Sequence, residues 1–290
     1  MYTLHQIRNK GKVTEFRDIY EEIPWAEFVH YPGESLHDRV KHLNQITDRH
    51  SDMRIIKSHI PPPVLPFRHD VNYLVIIRNP FDVIASCREF FANHGKKFAD
   101  MWGGFPPGAG EDVLTPEDEW EQMVLRDSGD GKPLAETFVL DFVSNWWPYR
   151  NHSNVLILHY SDRIKDDTTQ INRLASFLNV TLTNEELHRV AEQVSFKETK
   201  KVQDRLELRY LLEPFKERGL VAKDVFPLRT DKEGTMVNQG PKRKGTEQLS
   251  QNMREGVTEM MNKTYPPAMI EWIMNGGRLP VEADVLPPSC

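Results

Sequence analysis

Two basic clusters carry the residue types and spacings that could do chemistry. Lys57 and His59 lie two apart in MRIIKSHIPPPVLP, and Arg78 opens the segment RNPFDVIAS, which ends at Ser86. A histidine can take a proton near neutral pH, and an ammonium beside it can stabilise negative charge developing on a reacting group. That pairing suits proton abstraction coupled to transfer of an anionic group. The second cluster reads as an anion seat. Asn79 is a good helix N-cap, Pro80 suits the first helical position and Asp82 favours the first turn. The start of such a helix presents unpaired N–H groups and the positive end of the dipole. Arg78 adds a forked cation and Ser86 a hydroxyl two turns in. Plainer readings stay open at this point: a surface Lys-x-His before a proline-rich loop, and a capped strand–helix junction with a solvated Arg.

Both clusters need elements to hold them. The β-branched runs Arg54–Ile56 and Tyr73–Ile77 are expected to be buried parallel strands, since each ends in polar residues rather than a hairpin turn. In open α/β sheets the ligand crevice lies beyond the carboxyl ends of the strands. Both clusters are therefore expected at one edge of one sheet, with Lys57 and His59 on one strand face. A helix is expected from Pro80 to about Asn93, with Val83, Ile84, Cys87, Phe90 and Phe91 as its core stripe. Asn154–Tyr160 is the clearest remaining strand. Further helices are expected over Tyr2–Arg8, Leu134–Trp147, Asp167–Asn179, Val202–Arg218, Leu249–Tyr265 and Pro267–Asn275. Another opens at Thr183, which forms a capping box with Glu186 and precedes the stripe Leu187, Val190, Ala191 and Val194. Pro61–Pro66 is expected to be stiff and extended. Residues 95–133 form a long irregular stretch, the mark of a functional loop or a surface insertion.

Composition narrows the class. The 290 residues are 39% hydrophobic and 28% charged, ordinary for a globular enzyme. A formal net charge of −6 argues against a general nucleic-acid binder. The two cysteines, Cys87 and Cys290, do not make a disulfide framework, which fits a reducing compartment. No apolar run is long enough to span a membrane, and MYTLHQIRNKGK lacks the apolar core of a signal peptide. A cytoplasmic protein with no membrane partner is the expectation. The histidines show no ligand-like spacing, so no metal is expected.

The segment KSHIPPPVLP resembles the KTHLP-type segment of the cytosolic sulfotransferases, and RNPFDVIAS resembles their RNPxDxxxS segment. Three more segments follow in family order: HYSD, similar to YED, VSFKE, similar to TSFKE, and RKG. The resemblance implies an α/β fold of the P-loop nucleotide kinase type, a parallel sheet flanked by helices, in one domain over 1–290. It implies sulfuryl transfer from 3′-phosphoadenosine 5′-phosphosulfate (PAPS), as co-substrate, to a hydroxyl or amine of a small-molecule acceptor. His59 would be the general base and Lys57 the group stabilising the sulfuryl oxygens. Arg78, Ser86, Arg243, Lys244 and Gly245 would bind the 3′-phosphate. Tyr160 would lie near the nucleotide, and Phe196 would stack on adenine. Phe98, Trp102 and Phe105 fall in the region that shapes the acceptor pocket in the family.

The sequence departs from the family in four places. No segment resembles the YPKSGTTW loop that holds the 5′-phosphosulfate, nor is there a GxxxxGK[ST] motif. The chain thus reads as N-terminally truncated relative to the family, without its first strand and with neighbouring strand edges left unpaired. Ser161 stands where YED has Glu, and Val194 where relatives have a Thr that hydrogen-bonds the base. TEQLS follows RKG in place of GDWKN, so a homodimer is possible but has no clear motif. The alternative to an active sulfotransferase is a catalytically inactive nucleotide-binding or interaction protein. A different P-loop phosphotransferase is weakened by the missing Walker loop.

Overall fold

The computed structural model of the chain describes residues 1–28, 34–47, 53–62, 64–92, 117–126, 131–206, 219 and 245–280. Its contacts divide into two units, one drawn from Met1–His59, Glu89–Leu114 and Ile171–Gly240, the other from Ile60–Arg88, Thr115–Gln170 and Pro241–Cys290.

The first unit is helical in its described residues. Tyr2–Arg8 forms a short helix, as its apolar spacing predicts, and meets the helix Asn184–Gln193. Gly11 makes this approach possible: its φ is 69°, and a Cβ there would lie 2.8 Å from Arg189 Cβ and Val190 N. The Asn184–Gln193 helix starts at the expected capping box. Thr183 Oγ1 accepts from Glu186 N at 3.2 Å, and Glu186 Oε2 accepts from Thr183 N at 2.8 Å. Of its expected stripe, Val190 and Val194 are buried. The helix Ile19–Glu22 is capped by buried Asp18, whose carboxylate accepts from Tyr20 N at 2.9 Å. Ile7, Ile19, Ile23, Phe28, Ile171 and Leu174 are buried in this unit. Leu36–Thr47 is helical, and Val202–Arg218 is described only to Leu206, ending in a 3-10 turn over Gln203–Leu206.

The second unit holds the sheet. β1, Tyr73–Ile77, and β2, Val155–His159, run parallel in the register Tyr73↔Val155 to Ile77↔His159. All five β2 residues are buried, whereas β1 alternates and leaves Ile76 53% exposed. β1 is therefore a half-buried strand, not the fully buried one expected. The Pro80–Ala92 helix matches its expected span, but its core face is Phe81, Ile84 and Ala85, at helical spacing one turn earlier than expected. Of the rest of the expected stripe, Val83, Cys87 and Phe90 are only half-buried, and the Phe91 side chain lies outside the described residues. The expected Leu134–Trp147 helix is interrupted by a π segment over Glu136–Leu140 and continues as Asp141–Trp146. Buried Tyr265 donates its hydroxyl to the Leu140 carbonyl at the end of that segment. Helices Gln251–Thr264 and Pro267–Asn275 complete the packing, the second ended by Gly276 at φ 74°. Among the described residues no helix is long and apolar enough to cross a membrane.

Two expectations about the chain between Met53 and Pro66 fail. Arg54–Ile56 is not a strand of the sheet, which among the described residues contains only β1 and β2. Ile56 is 50% exposed, and the run ends in a single parallel bridge between Lys57 and Trp25. The prolines that follow do not run straight either, because Leu65 N donates to the Pro61 carbonyl at 3.1 Å and closes a turn.

Candidate functional site

The structure gathers the predicted residues into two corners, one in each unit. In the first unit the peptide at Lys57 is fixed by two backbone bonds: Lys57 N to Pro24 O at 2.8 Å and Ala26 N to Lys57 O at 2.9 Å. Lys57 Nζ sits 3.8 Å from the ring centroid of Trp25 and 5.5 Å from that of Tyr20. His59 meets Trp25 edge-on at 5.1 Å. Both side chains thus touch one indole, as their two-residue spacing predicts, although no strand carries them. Glu27 closes the corner from the other side. Its Oε1 accepts from the His59 backbone N–H at 2.8 Å and from the Ser58 hydroxyl.

This packing sets the charge states. Burial lowers the Lys57 pKa to about 8, against the pull of Glu27. Burial, and then Lys57, lower the His59 pKa to about 4, again opposed by Glu27. His59 nonetheless keeps an exposed edge. At neutral pH the corner holds a neutral imidazole, able to accept a proton, beside a cation.

In the second unit the strand register builds the other corner. Ile77 pairs with His159, so the next residue of each strand, Arg78 and Tyr160, emerge side by side at the carboxyl end of the sheet. The Arg78 guanidinium lies over the Tyr160 ring at 4.8 Å. Tyr160 opens the helix Tyr160–Lys165, which buried His159 caps by accepting from Ser161 N at 3.2 Å while its Nε2 reaches Ile273 O at 2.8 Å. Asn79 caps the Pro80–Ala92 helix as predicted, accepting from Phe81 N at 2.9 Å, and donates to Met274 O at 3.0 Å. Ser86 is exposed one turn beyond Asp82 on this helix.

Gly245 comes from 163 residues away to join this corner. Its N–H donates to Asp82 Oδ1 at 2.6 Å, and a Cβ there would lie 2.4 Å from Phe81 C and O and 2.5 Å from Asp82 Cα. Only glycine fits so close to backbone. Arg78 Nε is buried without a hydrogen-bond partner, and Asp82 Oδ2 lies 3.5 Å from it. Arg243 and Lys244, and the acceptor-pocket aromatics Phe98, Trp102 and Phe105, lie outside the described residues.

Phe196 belongs to the first unit. It is the first residue of the helix Phe196–Lys201, capped by Ser195, and is 46% exposed, so its ring is open and not a core aromatic. Three contributors had no chemical signal in the sequence. No role is readable for Trp25 and Glu27 from their residue types, and Asp82 reads as a favourable first-turn acid and as the Asp of the RNPxDxxxS segment.

Comparisons with known proteins bear on this geometry. A sequence model described as a Sulfotransferase domain matches residues 2–223. Sulfotransferase 1E1 of Homo sapiens is 26% identical over 203 residues, covering 68% of this chain and 60% of that protein. Sulfotransferase 1B1 of Mus musculus is 27% identical over 146 residues, covering 49% of this chain and 42% of that protein. The chain thus spans less than two thirds of the length of these relatives. Among solved structures, mouse sulfotransferase SULT7A1 complexed with PAP superposes with a TM-score of 0.56 at 16% identity, covering 93% of this chain and 92% of that one. This likeness shows the fold: a helix-flanked parallel sheet of the sulfotransferase type.

Proposed function

The chain belongs to the sulfotransferase family, and we propose that it transfers the sulfuryl group of PAPS to a hydroxyl or amine of a small-molecule acceptor in the cytoplasm, as a single domain over 1–290. The observation that carries this reading is the neutral His59 packed with Lys57 against one indole and braced by Glu27. His59 takes the acceptor proton as the acceptor oxygen or nitrogen attacks sulfur. The bond from sulfur to the phosphate oxygen breaks, and adenosine 3′,5′-bisphosphate leaves. Lys57 stabilises the negative charge that gathers on the sulfuryl and bridging oxygens. Arg78, Ser86, Arg243 and Lys244 hold the 3′-phosphate with the Gly245 backbone close by, and charge-assisted contacts of this kind are roughly twice as strong as neutral ones. Tyr160 lies near the nucleotide and backs Arg78, and Phe196 offers its open ring to adenine. The chemistry requires no metal.

The test joins calorimetric titration with adenosine 3′,5′-bisphosphate to turnover of PAPS with a panel of phenols, alcohols and amines. Saturable binding and acceptor-dependent release of the bisphosphate are expected. Binding without turnover on any acceptor would leave a nucleotide-binding relative, and a folded chain that binds nothing would overturn the reading.

A further inference from the structure

We propose that Asp82 is a positioning residue for the 3′-phosphate subsite, tying Gly245 to the Pro80–Ala92 helix and restraining Arg78. The inference rests on the reading of that subsite given above. The two oxygens of this carboxylate do different things. Oδ1 accepts from Gly245 N at 2.6 Å, and Oδ2 lies 3.5 Å from Arg78 Nε. One side chain therefore joins Arg78, the residue after β1, to Gly245, which lies 163 positions beyond Asp82 in sequence.

The steric fit makes this tether specific. Gly245 lies so near Phe81 and Asp82 that no Cβ could be accommodated, so its N–H is held over the first turn of the helix. Lys244 and Arg243 are one and two residues before Gly245 in the sequence. A residue next to a tethered position in the sequence has less freedom to lose when a ligand binds. The same carboxylate also weakens the site. It places a negative charge beside Arg78, where an incoming phosphate would compete with it. Asp82 thus gains the subsite geometry and loses it some charge, and the two effects can be separated by substitution.

Asp82→Asn keeps an acceptor oxygen for Gly245 and removes the charge. Asp82→Ala removes both. Asp82→Glu keeps the charge but displaces the oxygens by one methylene. Titrations of the full chain with adenosine 3′,5′-bisphosphate and with adenosine 5′-monophosphate read both affinity and preference for the 3′-phosphate. Asp82→Ala is expected to weaken bisphosphate binding about tenfold or more and to shrink the preference. Asp82→Asn is expected to stay within about threefold of the wild type, or to bind more tightly, and to bind better than Asp82→Glu. A tether requires Asp82→Ala and Asp82→Glu to bind more weakly than the wild type, whereas a charge that only competes with the phosphate makes Asp82→Ala bind more tightly and leaves Asp82→Glu unchanged. If Asp82→Ala fails to fold, the comparison of Asp82→Glu with the wild type still decides. Wild-type binding that is lost in Arg78→Ala but indifferent to Asp82→Ala would remove the proposal alone. A wild type that binds no bisphosphate would remove the reading of the subsite and the proposal with it.

Discussion

Arg78 and His59 each follow a short apolar run, yet the chain holds them by different means. Arg78 leaves a strand paired along its whole length and enters a helix capped by its own neighbour, Asn79. Its ring partner, Tyr160, is delivered by strand register. His59 leaves a run whose β-bridge, among the described residues, is the one between Lys57 and Trp25, and its backbone is braced by Glu27, 32 residues earlier. The Arg78 corner follows from regular structure, and its geometry presents a cation. The His59 corner follows from side chains packed on one another, and that packing shifts the protonation of both groups it holds. Regular structure places charge, whereas side-chain packing tunes it.

The sharpest break between the corners is a division of labour. His59→Ala is expected to lower the rate of sulfuryl transfer roughly 10²–10⁴-fold, with bisphosphate affinity unchanged. Arg78→Ala is expected to weaken bisphosphate binding by about 10–100-fold, as loss of a hydrogen bond to a charged group should. Steady-state rates and calorimetry on both variants check this. If each variant damages both quantities equally, the two corners do not have separate roles.

The pH dependence sharpens the same comparison, because it belongs to the His59 corner. With His59 near 4 and Lys57 near 8, kcat/KM is expected to reach a plateau above about pH 4 and to fall above about pH 8. These limbs belong to the interacting pair. Glu27 holds both pKa values up, so Glu27→Gln is expected to move both limbs to lower pH. An unmoved upper limb would separate Lys57 from it. Folding stability has the matching sign. Each group has a folded pKa below its unfolded value, so the unfolded chain binds more protons between the two. Stability therefore rises with pH from about 4 to 6.5 through His59 and from about 8 to 10.5 through Lys57, and is lost on acidification through the same windows.

A smaller effect tests the tight fit of the Arg78 corner. Gly245→Ala drives a methyl into the Phe81–Asp82 backbone and is expected to cost about 1–3 kcal/mol, read as a lowered melting temperature. An undisturbed melt would mean that the segment can lift away from the helix.

The legibility of the two corners in sequence follows the same division. The Asn79 cap, the span of the Pro80–Ala92 helix, β2 and the final helix are each written in a few adjacent residues, and all are found close to where those residues put them. Arg54–Ile56 carries an equally good strand pattern and fails, because a strand needs a partner along its length and the described residues supply a bridge only at Lys57. Helix faces were legible to about one turn: Ile84 is in the core, but Phe81 and Ala85 flank it where Cys87 and Phe90 were expected. Glu27 and Asp82 were illegible as site residues because their roles depend on atoms 32 and 163 positions away.

The mildest change gives the comparison its control. Thr183→Ala breaks a capping box in the same unit as His59, and is expected to cost about 1 kcal/mol of stability in denaturant titration. It touches no member of either corner. The rate at saturating PAPS and the bisphosphate affinity should therefore both hold at wild-type values once the protein is folded. Suppose the rate falls while the affinity stays. The placement of His59 would then depend on the helix Asn184–Gln193 as well as on Glu27, and the packing that tunes the base would extend through the first unit instead of ending at Trp25.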